Sequence, residues 1–299
     1  MTLQQLKYAD AVAQCGSIGK AAKKVFATQP TLTEAIRALE EELRIAIFTR
    51  SSKGVSATRE GEEFLSYARQ ILDDVSRITS KYTGKAVRAP QFAVSCQHFA
   101  FAAEAFMKVV AENGADAYDF TLRETGTSEI ISDVACRRSE IGILYLSKRN
   151  EKPLGKILKK EDLLFEELFT AKPHVFLSKH HPLAKKKSIR PEELDRYPYL
   201  SYEQGAENAL YFSEEVMPPI DRKKNIRVRD RATMTKLVLG LDGYTVSSGA
   251  NSNAYASEIT AIPLKLDDTI RVGFVRRAGI QLSRPAAMFA EEVRRLIRP

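Results

Sequence analysis

Gln29, Thr31, Thr33, Glu34 and Arg37 fall on one side of a stretch whose other side, Leu32, Ile36, Leu39 and Leu43, repeats at helical spacing. A helix with one face reserved for its own domain, and short polar or cationic side chains on the other, can lie in the major groove of DNA. Glutamine reads adenine with two hydrogen bonds, threonine suits a phosphate or a thymine methyl, and arginine binds phosphate or guanine. Glu34 would repel phosphate unless it meets a cytosine amino group or pairs with Arg37. Taken by themselves these residues are equally a solvated helix face, so the neighbouring elements decide.

Those elements are ordered as a helix-turn-helix module requires. Leu3, Leu6, Ala9, Val12 and Ala13 give a first helix that Gly16 stops; Ser17 caps a second over 18–25, whose small residues permit close approach. Phe26 and Ala27 make a turn, after which Thr28 caps the third helix with Pro30 in its first turn. Ser17 and Thr28 therefore join the DNA-facing set. Residues 47–50 and 55–58 suit a hairpin around 51–54, a wing whose Arg50, Ser51, Ser52 and Lys53 reach the DNA backbone or minor groove. From 59 to 82 a long helix carries Phe64, Ala68, Ile71, Val75, Ile78 and Tyr82 at alternating steps of four and three, a narrow seam for pairing with a partner helix.

A break over 84–90 separates this part from strands and helices in alternation, which predicts parallel sheet with crossover helices. Two such sets imply two lobes and a cleft. Ligands of open sheets sit beyond the carboxyl ends of strands, which selects Ser95, Gln97, His98, Thr125, Thr127, Ser128 and Tyr145 in one lobe. In the other the rule selects Ser201, Tyr202, Gln204, Thr233, Ser247 and Ser248. Hydroxyls and amides with little fixed charge suit a small carboxylate or other polar anion, although each Ser or Thr is also a candidate helix cap.

The whole chain narrows the classes. With 299 residues it is sized for two or three domains, and 44% hydrophobic with 28% charged residues is the balance of a globular protein. No apolar run is long enough for a bilayer and no signal-peptide core is present, so a cytoplasmic protein without membrane partners is expected. A net charge of +8 favours polyanionic partners. Cys15, Cys96 and Cys136 lack zinc-type spacing, and the expectation is no metal and no cofactor, with Cys96 beside the cleft as the one candidate thiol switch. His180-His181 precedes Pro182 without an acidic or cysteine ligand nearby, and Lys185, Lys186 and Lys187 read as a solvated loop. No phosphate-binding loop, dinucleotide fingerprint, zinc-protease motif or nucleophile elbow occurs, which argues against an enzyme. A solute-binding transport protein would account for the second half alone, and an architectural DNA binder for the first half alone.

The run Ser17-Ile18-Gly19-Lys20-Ala21-Ala22, then Thr28-Gln29-Pro30-Thr31-Leu32-Thr33, Ile36-Arg37-Ala38-Leu39-Glu40-Glu41-Glu42-Leu43 and Ile47-Phe48-Thr49-Arg50 resembles the DNA-binding domain of LysR-type regulators. The long helix, the break and the two-lobed remainder follow in that family's order. Departures are Thr28, Thr31 and Thr33, where the family usually has serine, alanine and serine, Arg44 at a common glycine, and Glu60 at a common alanine. They bear on operator sequence and wing angle, and Arg44 offers an added phosphate contact.

The resemblance implies an all-α-type winged helix-turn-helix over 1–58, a linker and dimerisation helix with hinge over 59–90, and an α/β effector domain over 91–299. The last would have the periplasmic-binding-protein-like (type 2) fold, with lobe one about 91–165 and 264–299 and lobe two about 166–263. It further implies a homodimer or homotetramer on double-stranded promoter DNA, a small-molecule effector between the lobes, and RNA polymerase as a candidate partner.

Overall fold

A computed structural model of the chain describes residues 1–51, 54–83, 90–113, 117–204, 209–216, 222–249 and 258–297. Two compact units divide at residue 90, Met1–Ala89 and Pro90–Pro299.

The first unit opens with α1 (Leu3–Cys15), α2 (Ile18–Lys24) and α3 (Gln29–Leu43). Each starts where a hydroxyl accepts an otherwise unpaired N–H: Thr2 from Gln5, Ser17 from Lys20, and Thr28 from Thr31. Such caps contribute on the order of 1 kcal/mol each. Gly16 ends α1 in the left-handed region at φ 59°. Ala9 and Ala21 are fully buried where α1 and α2 meet, beneath Leu32, Ile36 and Leu39 of α3.

The hairpin of β1 (Phe48–Ser51) and β2 (Gly54–Ala57) is antiparallel and tied back to the helices. Glu40 accepts the N–H groups of Ile47 and Phe48 at 2.7 and 3.0 Å, and Val55 N–H donates to the Gly16 carbonyl at 2.9 Å. Helix α4 (Arg59–Thr83) then packs on α1, where Arg69 pairs with Asp10 at 2.8 Å. Its Gly61 is obligatory, because a Cβ there would stand 2.0 Å from the Ile47 carbonyl oxygen.

The seam expected along α4 divides in two. Phe64 packs against the unit's own core and Ala68 is buried in it, as is Leu65, which the four-three pattern omits. Ile71 and Ile78 are 37% and 61% exposed and Val75 is half-buried, so the stretch open to a partner begins at Ile71. The Tyr82 side chain lies outside the described residues.

In the second unit one sheet runs in the order β4 (Asp119–Glu124), β3 (Gln91–Cys96), β5 (Ile141–Leu146), β12 (Ile270–Arg277), β6 (Leu163–Ala171). The other runs β11 (Ile259–Pro263), β7 (His174–Ser178), β10 (Tyr244–Ser247), β8 (Tyr199–Tyr202), β9 (Asn225–Val228). Helices α5 (Ala100–Glu112) and α9 (Arg284–Leu296) share a core with β3, β5 and β12. Helices α6 (Thr127–Ala135) and α7 (Glu151–Lys160) form a second core against β5 and β12, and α8 (Arg231–Gly240) covers the other sheet.

Two expectations are corrected. The sheets are mixed, since β12 is antiparallel to β5 and β6, and β7 is antiparallel to β10 and β11. The passage between lobes falls after Ala171 and not near residue 166, because β6 pairs with β12 along its whole length. The architecture is otherwise the expected one: winged helix-turn-helix, long helix, and a two-lobed α/β unit that the chain crosses twice.

Candidate DNA-facing helix and ligand cleft

Helix α3 exposes Gln29, Thr31, Glu34 and Arg37 opposite its buried stripe. The threonines have local work. The Thr28 and Thr31 hydroxyls are bonded at 2.8 Å, and the half-buried Thr33 hydroxyl donates to the Gln29 carbonyl at 2.9 Å. Arg37, its side chain 71% exposed, pairs with Glu41 at 2.9 Å. An exposed pair of this kind is worth under about 1 kcal/mol, so a phosphate or guanine can compete for the guanidinium. Ser17 is half-buried and engaged as the α2 cap. Of the wing residues, Ser52, Lys53 and the side chains of Arg50 and Ser51 lie outside the described residues.

Within the second unit a small recess, with a cavity volume of about 30 Å³, lies between the two sheets. Gln97, His98 and Phe99 line it from the carboxyl end of β3, Tyr202 from the end of β8, and Thr245, Val246 and Ser247 from β10. Met234 of α8 and the adjacent carboxyls of Glu214 and Glu215 complete it.

A buried polar network joins the lobes here. The Gln97 side chain donates to the Thr127 hydroxyl at 2.7 Å and accepts the Tyr145 N–H at 3.0 Å. Thr127 Oγ1 donates to the Phe212 carbonyl at 2.8 Å, and its N–H, unpaired at the start of α6, is taken by Gln204 Oε1 at 3.0 Å. His98 Nδ1 lies 2.8 Å from Glu214, and its ring stacks on Tyr202 with centroids 3.6 Å apart. Burial lowers the imidazole's affinity for its proton, but the hydrogen bond and charge of Glu214 outweigh it and leave the pKa raised. Burial next to Glu214 pushes the Glu215 carboxyl up to about 8, although the Tyr202 N–H and Ser213 hydroxyl both donate to it.

The expected cleft residues thus separate into distinct roles. Gln97, His98, Tyr202 and Ser247 line the recess, and Thr127, Tyr145 and Gln204 hold its walls, the Tyr145 hydroxyl donating to the Ser213 carbonyl at 3.1 Å. Ser95 is not a cleft residue: its hydroxyl is buried in a network with Asp133 at 2.5 Å and Ser139 at 2.8 Å. Thr125 is bonded to Glu129, Ser128 is half-buried outside the recess, Ser201 is buried behind it, Ser248 is buried, and Thr233 is an exposed residue of the turn capped by Asp230. The strand-end rule selects loops that border the recess, but it does not fix where each side chain turns: Ser95 is drawn to Asp133 and Ser139, and Ser201 is buried.

Phe99, Glu214, Glu215, Met234, Thr245 and Val246 were missed. The two carboxyls belong to a segment without strand periodicity. The only trace in the sequence is an acidic pair between apolar Phe212 and Val216, both of which are buried.

Cys96 is fully buried and burial drives its thiol far above the ordinary range, which removes the thiolate a redox switch needs. His181 accepts the Leu183 N–H at 3.0 Å and packs on Tyr197. Among the described residues no group of three or more His, Cys, Asp or Glu is placed to hold a metal, and no helix is long and apolar enough to cross a membrane.

Residues 3–62 match the family model of the bacterial regulatory helix-turn-helix protein, LysR family, and residues 116–298 match that of the LysR substrate binding domain. The chain belongs to the LysR family, whose members are transcriptional regulators and not enzymes. It is 41% identical over 83 residues to the HTH-type transcriptional regulator ClcR of Pseudomonas putida, a match covering 27% of this chain and 28% of that protein. With the HTH-type transcriptional regulator YbhD of Escherichia coli it is 25% identical over 295 residues, 96% of this chain and 89% of that one. Among solved structures, full-length OxyR of Pseudomonas aeruginosa shares the fold with a TM-score of 0.65 at 22% identity, both chains being covered over 100% of their length.

Proposed function

We propose that this chain controls transcription in the cytoplasm by binding promoter DNA as a dimer, and that a small molecule held between the two sheets of its second unit alters that binding. The observation that carries the reading is the recess itself. It is lined from both sheets and bounded by hydrogen bonds that run from one lobe to the other, His98 to the Arg229 carbonyl and Thr127 to Gln204. A molecule bound there contacts both lobes at once, so its affinity depends on how they are set, and by linkage it biases that setting.

On the DNA side, α3 presents Gln29, Thr31, Glu34 and Arg37, with the hairpin beside it carrying Arg50, Ser52 and Lys53. Pairing through Ile71, Val75 and Ile78 of α4 presents two such helices to successive major grooves, about 34–36 Å apart. Further association gives a tetramer, and RNA polymerase is the partner through which the bound dimer acts.

The test is a melting screen of small polar molecules on the full chain and on Thr127→Val, with an operator fragment obtained by selection from random DNA. A ligand that stabilises the wild type, changes its operator affinity, and does neither in Thr127→Val supports the reading. Ligands that stabilise both chains equally, with operator affinity unchanged, contradict it.

A further inference from the structure

We infer that the cleft contains a carboxylate-binding subsite built by His98 and Gln204, that the chain's own Glu214 fills it, and that the small molecule acting there carries a carboxylate that takes Glu214's place. The inference rests on the effector reading above and adds the chemical class of the ligand.

The hydrogen-bond pattern fixes the donors. His98 Nε2 lies 3.3 Å from the Arg229 carbonyl oxygen and Nδ1 lies 2.8 Å from Glu214 Oε2. Both neighbours present acceptor oxygens to the ring nitrogens, and the bond and charge of Glu214 raise the imidazole's pKa, which favours its cationic form. Gln204 has its Oε1 committed to the Thr127 N–H, which turns its amide nitrogen toward Glu214 Oε1 at 3.1 Å. The backbone N–H of His98 donates to Glu214 Oε2 at 3.3 Å. Three donors therefore converge on one carboxylate, and the side chains of His98 and Glu214 are each only 5% exposed. The parallel ring of Tyr202 supports the imidazolium from one face.

A buried cation of this kind needs an anion against it, because leaving it alone is strongly destabilising. Glu214 is one such anion, and a ligand carboxylate is chemically the same partner. The exchange keeps the charge of the cradle constant and moves no proton. Two features set this pair apart from a fixed structural ion pair. The recess continues beside it, past Met234, Thr245 and Ser247, and the departure of Glu214 would enlarge it. Among the described residues of 209–216 that hold Glu214, the one regular element is the short 3-10 turn Leu210–Phe212, so its departure disrupts no strand or long helix there. Burial pushes the neighbouring Glu215 carboxyl up to about 8, which lowers its charge against an incoming carboxylate. Among the described residues no lysine or arginine lines the recess, so His98 is its cation.

The experiment uses the full chain, its E214A and E214Q variants, and E214A combined with H98L. Each is titrated with sodium acetate, propionate and benzoate, with sodium chloride and methylammonium chloride as controls, and followed by calorimetry and melting temperature. Removing the internal competitor should lower the Kd for these carboxylates about tenfold or more relative to wild type. The response should saturate and should vanish in the His98 double variant. In the unmutated chain the same titration should speed amide hydrogen exchange across residues 209–216, a readout independent of how the variants fold. Folded E214A and E214Q that bind carboxylates no better than wild type, a preference for methylammonium, or unchanged exchange in 209–216 would overturn the subsite. Carboxylate binding as expected, with operator affinity unmoved, would leave the subsite standing and remove the effector reading on which it was placed.

Discussion

The two units position polar groups in opposite ways. In the first, Ser17, Thr28, Gln29, Thr31, Thr33 and Arg37 lie close in sequence, and each hydrogen bond described for them runs to a neighbour within four residues. In the second, the groups around the recess come from β3, β8, β10, α8 and the 209–216 stretch, and the bonds between them span as many as 116 residues. Local bonding leaves Arg37 in water, where its ion pair is weak and easily exchanged for DNA. Long-range bonding buries His98 and Glu215: burial raises the pKa of Glu215 against its hydrogen bonds, and Glu214 raises that of His98 against burial. The surface proposed to meet a polyanion keeps its charges solvated and available, whereas the recess proposed to hold a small molecule keeps its charges dry and paired.

If that contrast holds, the largest single effect should come from His98→Leu. It leaves Glu214 buried without its cation and should destabilise the second unit by on the order of 3–5 kcal/mol. Calorimetry should show that transition lowered while the first unit melts as before. A chain melting at its original temperature would mean that the pair is solvated after all.

The double change Ile71→Asp and Ile78→Asp places charges on the exposed stretch of α4. It should convert dimers to monomers in sedimentation experiments without unfolding the first unit, whose core uses Leu65 and Ala68. Intact dimers would move the pairing surface elsewhere.

Smaller effects sharpen the picture. In the folded chain Glu215 keeps its proton up to about 8, while an unfolded glutamate releases it near about 4. The folded state therefore binds more protons across this window, and stability should fall as pH rises through it and level off above 8. His98, its pKa also raised, acts in the same direction. Its stabilisation is complete below the ordinary histidine value and is lost as pH climbs through the folded one. Glu215→Gln should flatten most of the slope of melting temperature against pH, and an unchanged slope would assign it to other groups.

Least of all, Phe26 sits in the turn before α3 at φ 54° and 99% exposed. Phe26→Gly should stabilise the first unit by about 1 kcal/mol by removing left-handed strain. Destabilisation would show that the ring is covered in the assembled protein.

The same contrast explains what could be read from the chain alone. The helices and hairpin of the first unit, with their caps at Thr28 and Ser17 and the stop at Gly16, are written in neighbouring residues and stand where expected. So do the loops at the ends of β3 and β8. What was not legible depends on tertiary placement. The strands β6, β11 and β12 pair antiparallel with distant partners, the Ser95 hydroxyl turns toward Asp133, and Phe64 and Ala68 are drawn into the core of their own unit. The carboxyls of Glu214 and Glu215 make the recess more charged than its hydroxyls and amides suggested. Only the packing of 209–216 against both lobes brings them there.

The most direct test of the account is the affinity of a selected operator fragment for the wild-type chain and for Arg37→Ala, measured by fluorescence anisotropy at one fixed salt concentration with scrambled DNA as control. The account predicts a preference for the operator that falls in Arg37→Ala by about tenfold or more, from the 1–3 kcal/mol a well-placed arginine contributes. Melting should be unchanged, because the side chain is exposed. Equal operator affinity in the two chains, or equal affinity of the wild type for operator and scrambled DNA, would contradict the assignment of α3 as the helix that reads the promoter.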